Sequence, residues 1–198
     1  MNKRQHKASL TKKKISDAAI KLFEEKGFRN VTVDEIVQIT GTSKGAFYTH
    51  FKSKHEVFLN KFKEIDRYYE DVLLDIIEQE ETSSNKLKVF LKLQMKYIQE
   101  DLGWDITRTI YENELDPSRE SYFLMEDRPL YRILNNIFVE GQKNGEFRND
   151  ITASEMVTVC LRVMRGLLYD WSINEGSYSL EEEQELLFFT MIRGLSSN

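Results

Sequence analysis

The sequence predicts an all-α protein, with a compact N-terminal helix-turn-helix segment followed by a larger C-terminal helical domain. Three observations carry that reading. Apolar residues recur at three- and four-residue spacing along most of the chain. Helix start and stop signals bracket those stretches one after another. Only two prolines and nine glycines interrupt 198 residues, of which 40% are hydrophobic and 31% charged, and no stretch reads as a low-complexity linker.

From Thr11 onward, Ile15, Ala18, Ala19, Leu22 and Phe23 line one face of a first helix. Gly27 ends it, with Lys26 in the last turn. Residues 1–10, rich in lysine and arginine, read as a flexible basic arm. Thr32 and Glu35 form a Thr-x-x-Glu capping box, and Val31 and Ile36 its hydrophobic staple, so a second helix is predicted over 33–39. Gly41 breaks it, and Thr42 or Ser43 caps a third helix reaching His50. Ser53 and Glu56 repeat the box at the head of a long fourth helix, predicted over 54–81. Its buried stripe is Val57, Phe58, Phe62, Ile65, Tyr69, Val72, Leu73, Ile76 and Ile77.

Ser83, Ser84 and Asn85 make a turn before a fifth helix marked by Leu87, Phe90, Leu91, Met95 and Ile98. The pattern weakens around Gly103 and Trp104, and a short helix is predicted over 106–113. Asp116 before Pro117 signals another short segment, and Pro129 opens a helix that Gly145 closes. The last two helices are expected over 153–173 and 180–195.

The net charge of −5 conceals an asymmetry. Residues 1–55 hold 12 basic and 5 acidic side chains, a balance of +7, whereas the remainder stands at −12. A polyanion attracts the first section and is repelled by the rest. Charge alone does not separate DNA from RNA or an anionic membrane. No apolar run approaches the roughly 20 residues of a bilayer span, and the basic start has no apolar stretch behind it. A cytoplasmic protein with no membrane partner is therefore expected. Cys160, the single cysteine, lies in an apolar run and reads as a buried thiol.

Three short capped helices with a tight turn between the second and third are what a helix-turn-helix requires. Gly41 permits the bend, and Gly45 lets backbone approach a phosphate closely. Thr42, Ser43 and Lys44 gather at the start of the third helix. Phe47 and Phe51 are spaced to face a core, leaving Tyr48, Thr49 and His50 between them, and Lys52 and Lys54 flank the next box.

The stretch TVDEIVQITGTSKGAFYTHFKSKHEVF resembles the DNA-binding signature of the tetracycline-repressor-like (TetR/AcrR) family. The matching features are Thr32-Val33, Ile36-Val37, Gly41, Ser43-Lys44-Gly45, Phe47-Tyr48, His50-Phe51, Lys52 and Ser53-Lys54, preceded by Gly27-Phe28. The resemblance covers roughly residues 10–60. It implies DNA contacts from Thr32, Thr42, Ser43, Lys44, Gly45, Tyr48, Thr49, His50 and Lys54. Thr32, Tyr48, His50 and Lys54 suit phosphates, and Lys44 and Thr49 suit base edges. Thr32 as a cap alone and His50 as a packing residue remain open. The basic arm either adds phosphate or minor-groove contacts or is simply solvated.

The resemblance further implies a reader in residues 1–53 and a ligand-binding and dimerisation domain in 54–198. Family members enclose a ligand among the central helices, where this chain has Met95, Trp104, Tyr111, Tyr122, Phe123, Phe138 and Met164. Arg108, Glu112, Asn113 or Arg128 are candidates to supply polarity there. In the family the last two helices form a four-helix dimer interface. The apolar excess on them, with Leu161, Leu168, Phe188, Phe189 and Ile192, agrees. The expected function is a dimeric repressor on a palindromic double-stranded operator, released by a small, at least partly apolar effector. No cofactor is expected. An enzyme is disfavoured because the sequence carries no metal-ligand cluster, nucleophile elbow or phosphate loop. A DNA binder of architectural type, without an effector, is the remaining alternative.

Overall fold

The computed structural model describes residues 3–115 and 121–197, with side chains except at 3–5, 29, 58, 59 and 62. The described residues are helical apart from turns and one isolated antiparallel bridge, Phe147 to Ser196. The helices are α1 (Lys3–Lys26), α2 (Val33–Thr40), α3 (Lys44–His50), α4 (Lys54–Tyr68), α5 (Leu74–Ile77), α6 (Ser83–Tyr97), α7 (Gly103–Glu114), α8 (Pro129–Lys143), α9 (Ala153–Ile173) and α10 (Leu180–Leu195). Short 3-10 turns lie at Phe28–Asn30 and Tyr122–Leu124. The helix start expected at Asp116-Pro117 falls outside the described residues. No helix of the described chain is long and apolar enough to cross a membrane.

The chain forms two compact units, the first of residues 1–64 and 109–122, the second of 65–108 and 123–198. In the first unit, α1, α2 and α3 pack on one another around Ile15, Ala19, Phe23, Ile36, Phe47, Phe51 and Val57. Burying each such phenylalanine contributes roughly 1.5–3 kcal/mol. The Phe23 and Phe28 rings meet edge-on at 5.0 Å. Helix α1 begins at Lys3, so the expected flexible arm is instead helical from that residue. The physical reason is local: Lys-Arg-Gln-His-Lys-Ala-Ser-Leu contains no glycine or proline and several strong helix formers. Its residues from His6 to Leu10 are exposed.

Helix α6 is central to the second unit, packing on α5, α8 and α10, while α9 packs on α8 and α10. Its stripe, Leu87, Phe90, Leu91 and Met95, is buried as predicted, as is Ile98 just beyond its end. The expected long fourth helix departs from regularity: a π-helical turn, Tyr69–Leu73, separates α4 from α5. A wider turn rotates the face that follows it. Tyr69, Leu73 and Ile77 stay buried, whereas Val72 and Ile76, expected in the stripe, are exposed. A second π-helical turn, Ile98–Leu102, joins α6 to α7. Where α8 ends, a Cβ on Gly141 would lie 2.2 Å from the Phe147 ring, so only bare backbone fits. The Glu146 carboxylate accepts from the Ser83 and Ser84 amides at 3.0 and 2.9 Å, capping α6.

Candidate nucleic-acid interface

Helix α2 begins as the sequence predicts. The Thr32 hydroxyl accepts from Glu35 N at 3.3 Å and donates to the Glu35 carboxylate, which also accepts from Thr32 N at 2.8 Å. These bonds and the Lys26 ammonium at 2.9 Å hold the Glu35 carboxyl down at about 2. Thr32, expected to donate to a phosphate, therefore has its hydroxyl proton committed to the cap.

The turn between α2 and α3 is made by Gly41 at φ 60°, a left-handed conformation that glycine adopts without steric cost. Thr42 is half-buried, and its hydroxyl lies 2.8 Å from that of Thr40, whose own proton goes to the Ile36 carbonyl. The Thr42 proton is thus directed into the turn rather than toward a ligand. Ser43, not Thr42, caps α3, accepting from Ala46 N at 3.1 Å. An accepting hydroxyl still has its proton to donate outward.

Helix α3 has two faces. Phe47 is sealed, and Phe51 just beyond the helix is sealed with it, their rings 5.8 Å apart. Lys44, Gly45, Tyr48 and Thr49 are exposed, and His50 is half-buried. The Tyr48 ring stands edge-on to Phe47 at 5.4 Å, which holds the phenol away from the core. Thr49 donates to the Gly45 carbonyl at 2.7 Å, leaving its oxygen lone pairs and methyl to meet a base edge. Lys44 pairs with Asp34 at 2.7 Å, and that bond raises its pKa. Both partners are well exposed, so water screens the pair and phosphate can replace the aspartate.

Lys54 corrects the sequence reading. It was expected at a phosphate, yet its ammonium donates to the Phe28 and Val31 carbonyls at 2.6 and 2.8 Å and stands 4.4 Å over the Phe28 ring. The carbonyls around the 3-10 turn need donors, and the lysine supplies them. Hydrogen bonds from charged groups contribute about 1.5–3 kcal/mol each. Also in the first unit, His55 and the buried Asn113 lie within hydrogen-bond distance. That partnership across 58 positions carries no sequence signal.

The expected ligand residues divide between the units. Tyr111 and Tyr122 lie in the first, Tyr122 buried; Met95, Trp104, Phe123, Phe138 and Met164 lie in the second. Met95, Phe138 and Met164 are buried, with Phe138 5.1 Å from Phe147. Trp104 covers Gly176, where a Cβ would stand 2.6 Å from its ring. Phe123 lies under the Arg165 guanidinium at 5.2 Å.

On the last two helices, Phe188 and Ile192 are buried within the chain itself, correcting their expected place on an interface. They extend the α10 face of Gln184 and Leu195, all buried; α10 packs against α6. Leu168 is 9% exposed and Leu161 half-buried. The outward apolar residues are Phe189 with Leu186, Leu187, Val159, Tyr169 and Ile173. A groove of about 470 Å³ is lined by Lys88 and Lys92 of α6 and by Gln184, Leu186, Phe188 and Phe189 of α10, among others.

Residues 15–60 match the family described as bacterial regulatory proteins, tetR family. An uncharacterised helix-turn-helix transcriptional regulator of Bacillus subtilis strain 168, YerO, is 30% identical over 141 residues. That alignment takes in 71% of this chain and 41% of YerO. The solved FadR transcriptional regulator of Bacillus subtilis, in complex with stearoyl-CoA, superposes with a TM-score of 0.76 at 20% identity, covering 92% of this chain and 98% of that one. A second solved FadR, the Thermus thermophilus repressor in complex with lauroyl-CoA, gives a TM-score of 0.73 at 19% identity, covering 92% and 94%.

Proposed function

We propose that this chain, a member of the tetR family of bacterial regulatory proteins, is a repressor that binds a palindromic double-stranded operator as a homodimer and is released by a small effector. The two faces of α3 carry the reading: sealed phenylalanines on one side, and Lys44, Tyr48 and Thr49 offered to solvent on the other. Residues 1–53 are the reader, and residues 54–198 sense the effector and dimerise. Lys44, Tyr48, Ser43 and His50 anchor phosphates or bases, Gly45 admits the backbone, and Thr49 reads a base edge. Thr32, Thr42 and Lys54 shape the reader from within. The exposed apolar side chains of α9 and α10 supply the dimer seam, with Leu161 and Leu168 at its margin.

In a symmetric dimer the two α3 helices enter successive major grooves about 34–36 Å apart. The effector lowers DNA affinity only if it binds the DNA-free conformation more tightly. Met95, Trp104, Phe123, Phe138 and Met164, all within the second unit, give its site an apolar character. The two FadR relatives, solved with stearoyl-CoA and lauroyl-CoA, make long-chain acyl-CoA a first compound to test.

Selection from a random duplex library is expected to return an inverted repeat, its half-sites about 10 base pairs or a multiple apart. Replacing Lys44 and Tyr48 together with alanine is expected to weaken retardation of that duplex by roughly 100-fold or more, on the scale of two lost contacts, while the circular dichroism spectrum stays helical. Unchanged affinity in the double variant would exclude α3 as the reading helix.

A further inference from the structure

The second unit encloses a polar cluster within its apolar helices. Asp66 accepts two hydrogen bonds from Arg128, Nε to Oδ2 at 3.1 Å and Nη2 to Oδ1 at 2.9 Å, and both side chains are buried. Tyr69, three residues beyond Asp66, accepts a bond from Gln94 Nε2 at 2.8 Å, each of the two residues being 2% exposed. At this end the hydrogen bonding is incomplete. Gln94 Oε1 is sealed from solvent and has no partner among the described residues. Turning the amide over would only make Nε2 the atom left out. Burial holds the Tyr69 phenol protonated far above its ordinary range. Since its oxygen is the acceptor of the glutamine bond, its own proton is aimed elsewhere. Native interiors rarely leave such atoms unmatched.

Backbone geometry supplies a second, independent observation. Tyr69 opens the π-helical turn Tyr69–Leu73, and the other π-helical turn, Ile98–Leu102, starts four residues after Gln94. Such turns are less favourable than regular helix and are concentrated at functional sites. The surroundings are apolar: Phe90 meets the Tyr69 ring at 5.6 Å, and Leu73, Leu91, Met95 and Ile98 are all buried.

We propose that Tyr69 and Gln94 are the polar anchor of the effector site, and that the effector is an uncharged, mainly apolar molecule bearing one hydroxyl. The ligand oxygen accepts from the Tyr69 hydroxyl, and the ligand proton goes to Gln94 Oε1. A charged head group is disfavoured because Asp66 and Arg128 already neutralise each other in a site sealed from water. This inference rests on the reading that the second unit senses an effector.

The test uses the full-length protein with 1-decanol as probe and decyl methyl ether, which accepts but cannot donate, as its control. In the wild type, 1-decanol is expected to raise Tm saturably and to bind at least ten times more tightly than the ether. In Gln94→Met that preference is expected to vanish. In Tyr69→Phe, which removes a single oxygen and carries the test should Gln94→Met fail to fold, 1-decanol affinity is expected to fall about tenfold. Failure of 1-decanol to bind the wild type, or equal affinity in all three proteins, overturns the anchor. Lauroyl-CoA separates the two levels of inference. If it releases selected operator DNA from all three proteins alike while 1-decanol does nothing, the sensing role stands and the anchor is wrong. If neither compound changes DNA binding by any of them, the sensing reading falls as well.

Discussion

The two units satisfy their polar groups over different distances along the chain. In the first, the pairs at the helix ends of α2, α3 and α4 are local: Thr32 with Glu35, Ser43 with Ala46, Thr49 with Gly45, and Ser53 with Glu56. In the second, the corresponding pairs are remote: Asp66 with Arg128, Tyr69 with Gln94, Glu146 with Ser83 and Ser84, and Leu180 N with Gln99 Oε1 at 2.6 Å. A local pair fixes a helix end wherever it occurs, whereas a remote pair exists only after the helices have assembled. The ends of α2 and α3 are therefore written residue by residue. The pairs that join one helix to another emerge from packing, Lys54 with Phe28 and Val31 in the first unit as much as Asp66 with Arg128 in the second.

The largest expected effect tests that contrast directly. Arg128→Ala leaves the Asp66 carboxylate buried without its bidentate partner, and breaking a buried pair in this way costs about 3–5 kcal/mol. Loss of a cap in Thr32→Ala costs only about 1 kcal/mol. Both tryptophans, Trp104 and Trp171, lie in the second unit, so their fluorescence reports on it alone, while circular dichroism follows both units. In urea, Arg128→Ala is expected to bring the fluorescence transition to markedly lower denaturant. Thr32→Ala is expected to leave that transition in place and to shift only part of the dichroism change. Equal small shifts in the two variants would mean that the remote pair matters no more than the local one.

The same contrast explains what sequence alone could read. The predicted starts of α2, α9 and α10 fall within a residue of those observed; the sequence reading used the Thr32 cap for α2, and the structure adds caps from Thr152 and Ser179 for the other two. The exposed face of α3 was legible from the spacing of Phe47 and Phe51. Lys54 was not, since its two carbonyl partners lie 26 and 23 positions earlier. The π-helical turn after α4 left no periodic trace, and Val72 and Ile76 were misplaced in consequence. Gln94 did leave one: it falls on the buried stripe, three residues after Leu91 and four after Phe90, where an apolar residue is the rule.

An intermediate effect distinguishes two helical glycines of the second unit. At Gly141 an added methyl group collides with Phe147, so Gly141→Ala is expected to destabilise by about 1–3 kcal/mol despite the better helix propensity of alanine. At Gly166 a Cβ meets nothing within 4 Å, and alanine gains about 0.5–1 kcal/mol in a helix interior. Thermal denaturation of the two variants should therefore move in opposite directions. A drop in stability for Gly166→Ala that deepens with protein concentration would instead place this glycine against a second copy of the chain.

The smallest effect compares one device present in both units. Thr32–Glu35 and Thr152–Glu155 are the same capping box, and in each the carboxyl pKa is lowered, first by the backbone bond from the threonine. Glu35 has a further cation, Lys26, which the Glu155 box lacks among its causes. Because the folded value, about 2, lies below the ordinary 4.5, the Glu35 carboxylate stabilises the fold fully above pH 4.5 and loses that contribution as pH falls toward 2. Glu35→Gln should accordingly flatten the acid limb of stability between those values. In a carboxyl titration followed by NMR, Lys26→Met is expected to move the Glu35 midpoint upward and leave Glu155 where it was. High salt should reproduce part of that movement, since the lysine contribution is exposed and screened whereas the backbone bond is not. Equal responses of the two glutamates would show that the lysine is incidental and the box alone sets both values.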